Sequence, residues 1–285
     1  MIDEQHAVSA SFEPLAGGFG ARASHDVTRP LSAADVSEIA DAFHAYQLLI
    51  FSGADLSLAQ LSAFIDSFGL PDTGVGRLAS DVQGYSGIRV VENVERGKFG
   101  PRSNSELHWH SDRFFDPVVA GVLNSIVVPE TGGDTSFANM YRAWDELPED
   151  LRAAVEGRSI KQDCLFGPDG EPMIRPGGQP IDDLANSPGI ETPIVRAHRF
   201  TGRKFLYLGN RLNAYAAGLP IEESEALLDR LFAHIDQPHL HYRHRWVPHE
   251  LVIYDNVACM HKREAFDENA DRKLLASVVS RSDIL

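Results

Sequence analysis

A short triplet and one distant histidine constrain the fold of this chain more than any other feature. The triplet is His110-Ser111-Asp112, and the histidine is His261, close to the C-terminal end of the sequence. Residues two apart on an extended strand project from the same face, so we expect His110 and Asp112 to share a face. His261 can join them only if the fold brings another strand alongside.

The residue types suit iron. Two imidazoles and one carboxylate on one side of a metal ion leave its other side open, which is the arrangement of non-haem Fe(II) sites. His108 alternates onto the same predicted face as His110, whereas Trp109 lies on the other, which favours a strand that lines a cavity. Taken alone, His-x-Asp is a common triplet and His261 would be an ordinary strand-end histidine.

A second histidine cluster offers an alternative metal site. Its members, His239, His241, His244 and His249, match no closed zinc spacing and include no cysteine. We interpret them as surface residues or as residues behind the metal ligands.

Composition excludes several classes of partner. A net charge of −15 over 285 residues disfavours a nucleic-acid surface and docking on an anionic membrane. The sequence contains no apolar run of the roughly 18 residues that a membrane span needs, and no secretory signal. The two cysteines, Cys164 and Cys259, leave a disulfide open, but a reduced cytoplasmic setting is the simpler interpretation.

Local patterns predict a single domain over residues 1–285, mainly β with flanking helices. Predicted helices cover 32–46 with Ser32 as N-cap, 58–68, 141–156 with an interruption at Pro148, and 221–236. Predicted strands cover 48–51, 88–91, 118–128, 194–198, 204–208, 251–254 and 274–279. Many short strands with this spacing fit a double-stranded β-helix, the cupin-like jelly roll. Residues 95–106 and 167–193 are predicted to be long loops beside it.

Several motifs in the chain resemble one known family. They are Trp109 to Asp112, Gly132 to Thr135, Tyr141 to Pro148, Gly202 to Leu206, Tyr242 to Trp246, Asp255 to His261, and Arg272. In this order they resemble the taurine dioxygenase family of Fe(II)/2-oxoglutarate oxygenases, closest to its phenoxyacetate dioxygenase branch, from about residue 12 to the end.

The resemblance implies roles for individual residues. His110, Asp112 and His261 would bind Fe(II), Arg272 would pair with the distal carboxylate of 2-oxoglutarate, and Thr135 would add a hydroxyl group to that carboxylate. The implied reaction hydroxylates an unactivated C–H bond of a small molecule, consumes O2 and releases succinate and CO2. Desaturation, cyclisation, or C–O or C–N cleavage in a biosynthetic pathway remain alternatives, and a catalytically silent binding protein is a third.

The chain departs from this family on the substrate side. Relatives carry an arginine four residues after the cosubstrate arginine, where this chain has Ala276, and an asparagine where it has Glu106. We therefore expect a substrate without a sulfonate or aryloxyacetate group, and with an amine or hydroxyl group for Glu106. His108, Phe114 and Ala276 are further candidates for substrate contact. A homo-oligomer is compatible with the resemblance, because relatives are often dimers or tetramers.

Overall fold

The computed structural model describes residues 11–71, 82–85, 87–93, 104–113, 118–162 and 189–285. The helices in these ranges are α1 (Ala33–Tyr46), α2 (Leu58–Phe68), α3 (Met140–Asp145), α4 (Glu149–Val155) and α5 (Ile221–Ile235). The strands are β1 (Phe12–Pro14), β2 (Ala21–Ala23), β3 (Leu48–Phe51), β4 (Leu70–Pro71), β5 (Arg89–Glu92), β6 (Leu107–His110), β7 (Ala120–Val127), β8 (Thr135–Asn139), β9 (Ser159–Gln162), β10 (Ile190–Pro193), β11 (Val195–Ala197), β12 (Lys204–Leu206), β13 (Ala214–Ala216), β14 (His241–His244), β15 (Leu251–Asp255), β16 (Cys259–Arg263) and β17 (Lys273–Arg281). No helix among these is long and apolar enough to cross a membrane.

Two sheets facing each other build the jelly roll. The large sheet has the order β1-β2-β3-β15-β7-β17-β4, with β5 paired to β17, and the small sheet has the order β14-β8-β16-β6. The core between them joins Phe137 of the small sheet to Val252 and Leu274 of the large sheet. This architecture confirms the predicted fold class, mainly β with flanking helices.

Strand alternation separates this inner core from an outer one. On β15, Val252 and Tyr254 point between the sheets, whereas Leu251 and Ile253 pack against helices α1 and α2. Helices α3, α4 and α5 form a third layer with β9 and β12. Helices therefore cover the jelly roll on two sides, and the site lies on the inner face between its sheets.

Helix boundaries follow the sequence signals. The Ser32 side chain accepts a hydrogen bond from the backbone N–H of Asp35, and the Asp35 carboxylate accepts one from the backbone N–H of Ser32. The predicted N-cap of α1 is therefore confirmed. The predicted interruption at Pro148 is also confirmed. Pro148 has an extended ψ of 143° and separates α3 from α4, because its ring cannot continue a helix.

One loop prediction is partly wrong. The end of the predicted 167–193 loop forms β10, which pairs antiparallel with β9. A polar segment of this kind carries little strand signal, and it is held by backbone pairing with its neighbour. Residues 167–188 and 95–103 lie outside the described residues, as do Phe114 and Cys164; Cys259 is a buried free thiol.

Candidate metal centre

Two adjacent strands place the histidines. His110 is the last residue of β6, His261 lies in the middle of β16, and the two are direct partners in the antiparallel pairing. Directly opposed residues project from the same face, and the ring centroids are 4.1 Å apart. Both side chains are buried. A separation of some 150 residues in sequence thus becomes a contact through one strand pair.

Asp112 lies just past the end of a strand. Strand β6 ends at His110, two residues before Asp112, although the two side chains do face the same site as expected. A side chain holds Asp112 in place. The backbone N–H of Asp112 donates to Oδ1 of Asn256 and its carbonyl accepts from Nδ2 of the same residue, both at 2.8 Å. The Tyr254 hydroxyl donates to Oδ2 of Asp112 at 2.6 Å.

The turn between β15 and β16 explains why Asn256 is available. Oδ1 of Asp255 accepts from the backbone N–H groups of Val257 and Ala258, at 2.9 and 3.0 Å, which fixes the turn. Asn256 stands at its tip and clamps Asp112, and β16 then carries the chain on to His261. One turn therefore sets two of the three side chains.

The three side chains fit a metal ion. Their ligating atoms lie within 4.8 Å of one another, and no other such group occurs in the described ranges. Nδ1 of His110 bonds the carbonyl of His108 at 2.7 Å, which leaves Nε2 for a metal. Burial lowers the pKa of His110 and, with the nearby His110 ring, lowers the pKa of His261 to about 3. Both imidazoles are therefore neutral at pH 7, as metal ligation requires.

A buried guanidinium lies beside this centre. Arg272 is 4% exposed, and among the described residues its side chain makes no hydrogen bond or ion pair. Burial, and then the charge of Arg263, lowers the pKa of Arg272 to about 9. Because an uncompensated buried charge is costly, this side chain calls for an anion from outside the described chain.

A glycine packs against Arg272, and a buried hydroxyl group follows it two residues later. Gly133 lies so close that a Cβ there would come within 3.2 Å of Nε of Arg272. Thr135, the first residue of β8, is buried, and its Oγ1 accepts from Nε1 of Trp246 at 2.9 Å. Its own hydrogen is then free to be donated. A guanidinium with a hydroxyl donor nearby suits a carboxylate.

The predicted substrate residues are distributed unevenly. Ala276 is buried on β17, whereas Glu106 and His108 are exposed just before and within β6. The expectation that His108 shares the buried face of His110 is therefore not met; only its carbonyl supports the site. Because Glu106 is exposed, no desolvation cost requires it to have a partner.

The second histidine cluster does not assemble. His239 bonds Glu146 at 2.8 Å, His249 lies 3.1 Å from Asp55, and buried His244 lies 3.1 Å from Glu250. These three histidines each have an acidic neighbour, and His241 lies 3.4 Å from the backbone carbonyl of Asp236, so the four are accounted for without a metal.

Sequence reasoning gave no role to Tyr254, Asn256 or Trp246. Asn256 and Trp246 stand inside the matched motifs, and Tyr254 directly precedes the motif that begins at Asp255. That position was their only signal, because neither a tyrosine nor a tryptophan is a usual metal or carboxylate ligand.

Fold and site together define a metal-dependent jelly-roll enzyme. The family model for taurine catabolism dioxygenase TauD, TfdA family, matches residues 11–278. The chain is 32% identical over 264 residues to the α-ketoglutarate-dependent 2,4-dichlorophenoxyacetate dioxygenase of Cupriavidus pinatubonensis, covering 87% of this chain and 90% of the relative. It is 30% identical to pentalenolactone F synthase of Streptomyces avermitilis, covering 92% and 90% of the two chains.

A solved structure gives the same result. AAD-2 in complex with Mn(II) and N-oxalylglycine superposes with a TM-score of 0.76 at 27% identity, over 95% of this chain and 97% of that one. The chain belongs to the TauD/TfdA family. It is an oxidoreductase of the α-ketoglutarate-dependent dioxygenase class, which uses Fe(II), 2-oxoglutarate and O2. His110, Asp112 and His261 are a group of side chains that could hold the metal ion.

Proposed function

We propose that this protein hydroxylates an unactivated C–H bond of a small molecule and releases succinate and CO2 from 2-oxoglutarate. The observation that carries the proposal is the pairing of two features. The His110–Asp112–His261 group closes to within 4.8 Å. The second is the buried guanidinium of Arg272, which has no counter-ion among the described residues. A metal-binding protein without a dicarboxylate cosubstrate has no use for the second feature.

The residues divide the work between them. Arg272 and Thr135 hold the distal carboxylate of 2-oxoglutarate through charge-assisted hydrogen bonds. Asn256 and Tyr254 keep Asp112 in place, and β6 and β16 hold the imidazoles rigidly. Bound Fe(II), with 2-oxoglutarate and O2, supplies the oxidising power that the protein itself lacks. Asp112 favours hydroxylation over halogenation, because halogenases of this superfamily have a small residue at that position.

A second outcome keeps the same cofactors. The relative named pentalenolactone F synthase supports desaturation, cyclisation, or C–O or C–N cleavage in a biosynthetic pathway. A silent binding protein is the weakest candidate, because it has no need of both the metal ligands and Arg272.

The substrate proposal rests on Ala276 and Glu106. Ala276 removes the arginine that relatives aim at a sulfonate or aryloxyacetate group, and exposed Glu106 can meet an amine or hydroxyl group at the edge of β6. A single domain over residues 1–285 is supported by the family match over residues 11–278. A cytoplasmic location and a homo-oligomer stay predictions.

Turnover of 2-oxoglutarate tests the proposal. Wild-type protein with Fe(II) and 2-oxoglutarate in air should form succinate slowly without substrate. A compound library is then screened for faster succinate release. Mass analysis of the hits should reveal a product heavier than its parent compound by one oxygen atom. His110→Ala should abolish both signals, whereas His239→Ala, a histidine on the surface, should keep them. Products lighter by two hydrogens would favour the desaturase. Iron-loaded protein without any succinate formation would contradict the proposal.

A further inference from the structure

On the inner face of β17, position 276 holds an uncharged alanine. Leu274 points between the sheets, whereas Leu275 and Val279 pack outward against the helices. By alternation, Ala276 projects inward with Leu274. It is buried, so a small, uncharged methyl group faces the inside at this level of β17.

The neighbouring strand supplies an arginine at the same level. Arg89, the first residue of β5, is the direct antiparallel partner of Ala276. Directly opposed residues project from the same face, so Arg89 also points inward. The next residue, Val90, packs outward with the helices. On the other side of Ala276, β7 places Leu123, which belongs to the inner core.

Arg89 lies near the predicted metal centre. Its charge acts on the Asp112 carboxylate and on the Tyr254 hydroxyl group, which are hydrogen-bonded to each other. A guanidinium that acts on both residues lies within reach of a molecule bound beside the metal.

Among the described residues, half-buried Arg89 makes no hydrogen bond or ion pair. The acidic residue on its own strand, Glu92, already pairs with Lys273 at 3.2 Å. The charge of Arg89 acts on Asp112, but that carboxylate accepts a hydrogen bond from Tyr254 and belongs to the predicted metal centre.

We infer that Arg89 binds a carboxylate of the primary substrate, beside the apolar wall formed by Ala276 and Leu123. The sequence alone suggested that the substrate side lacks a positive charge, but Arg89 on β5 supplies one. The inference rests on the proposed function and names a substrate class for it, an acid with an apolar body. A carboxylate on Arg89 and an amine or hydroxyl group near Glu106 belong together in an amino acid or a hydroxy acid.

The test uses full-length protein loaded anaerobically with Fe(II) and 2-oxoglutarate. The probes are benzoate, phenylacetate, 3-phenylpropionate and 4-phenylbutyrate, each with its primary amide, and binding is followed through the visible charge-transfer band. We expect at least one acid to bind about tenfold more tightly than its amide, as loss of a charge-assisted bond predicts. Arg89→Gln should reduce that preference to about twofold or less, and Arg89→Lys should keep part of it.

Two further variants complete the design. Arg281→Gln changes an exposed arginine on the same strand as Ala276 and should leave the preference unchanged. Arg89→Gln with Ala276→Arg returns the guanidinium to β17 and should restore a preference for acids, with a different optimal chain length. The inference is overturned if no acid binds better than its amide, or if Arg89→Gln keeps the preference. Absence of the band before any probe is added would instead contradict the proposed function.

Discussion

The hydroxyl group of Tyr254 lies 2.6 Å from Oδ2 of Asp112 and donates a hydrogen bond to it. The same ring lies 5.0 Å from the ring of His261 and 5.2 Å from that of Phe137, centroid to centroid. Burial and the Asp112 charge raise the pKa of Tyr254 well above its usual value, so it stays a donor. One inner-core tyrosine thus orients a metal ligand while contacting a second.

Removing this hydroxyl group should weaken metal binding. Tyr254→Phe keeps the packed ring but leaves the Asp112 carboxylate without its orienting donor. We expect Fe(II) affinity to fall by about 10- to 100-fold, the usual effect of losing a bond that orients a ligand. Calorimetric titration with Fe(II) measures it. Tyr141→Phe is the matched control, because that buried hydroxyl group lies 3.4 Å from the hydroxyl group of Thr201, away from Asp112; equal affinity in the two variants would contradict the assigned role.

Trp246 and Thr135 should act as a pair on 2-oxoglutarate. Because Trp246 donates to Oγ1 of Thr135, the threonine hydrogen is directed away from the tryptophan. Trp246→Phe and Thr135→Val should each weaken 2-oxoglutarate binding, by about 1 kcal/mol for one hydrogen bond. The double variant should lose little more than Thr135→Val alone. Affinity measured in a double-mutant cycle checks this, and fully additive losses would mean that the two side chains act independently.

Loss of the buried guanidinium should separate cosubstrate binding from metal binding. Arg272→Gln removes the anchor for the distal carboxylate, and we expect 2-oxoglutarate affinity to fall by about 100-fold. Fe(II) affinity should stay within about threefold, since Arg272 does not contact the three ligands. Both constants come from one spectroscopic titration series. A parallel loss of both would indicate a general structural defect, and Arg230→Gln, at an exposed arginine of α5, serves as the control.

Acid should destabilise the protein through His198. This buried imidazole lies 3.5 Å from Asp255, and burial with the charges of Arg199 and Arg196 lowers its pKa to about 4. Between that value and the ordinary pKa of about 6.5, the unfolded chain binds a proton that the folded chain does not. Stability relative to His198→Phe should therefore fall by up to about 1.4 kcal/mol per pH unit on acidification through this range.

Urea unfolding of both proteins at several pH values measures this difference. The burial-raised pKa of Asp255, about 6, acts in the opposite direction, so the two proteins are also compared in an Asp255→Asn background, which removes this titration. Parallel stability curves would show that His198 does not titrate as described.

The sequence predicted the residues of the site better than it predicted the local structure that holds them in place. His110, Asp112, His261 and Arg272 follow from residue type and motif order, and amphipathic patterns predicted α1, α2 and α5. The sequence did not predict how Asp112 is held in place, because a side chain from a turn that is distant in sequence fixes its backbone. Strand β10 was missed because cross-strand pairing, not local propensity, holds it. The role of Arg89 depends on register with β17, which no local pattern encodes.

An anaerobic titration of Fe(II)-loaded protein with 2-oxoglutarate tests the assignment of the iron site most directly. A weak visible charge-transfer band should appear and saturate at one equivalent of 2-oxoglutarate. His110→Ala should abolish the band, and His239→Ala should retain it. A metal-loaded wild-type protein that shows no band, or a His110→Ala variant that shows it undiminished, would contradict the assignment of His110, Asp112 and His261 as the iron site.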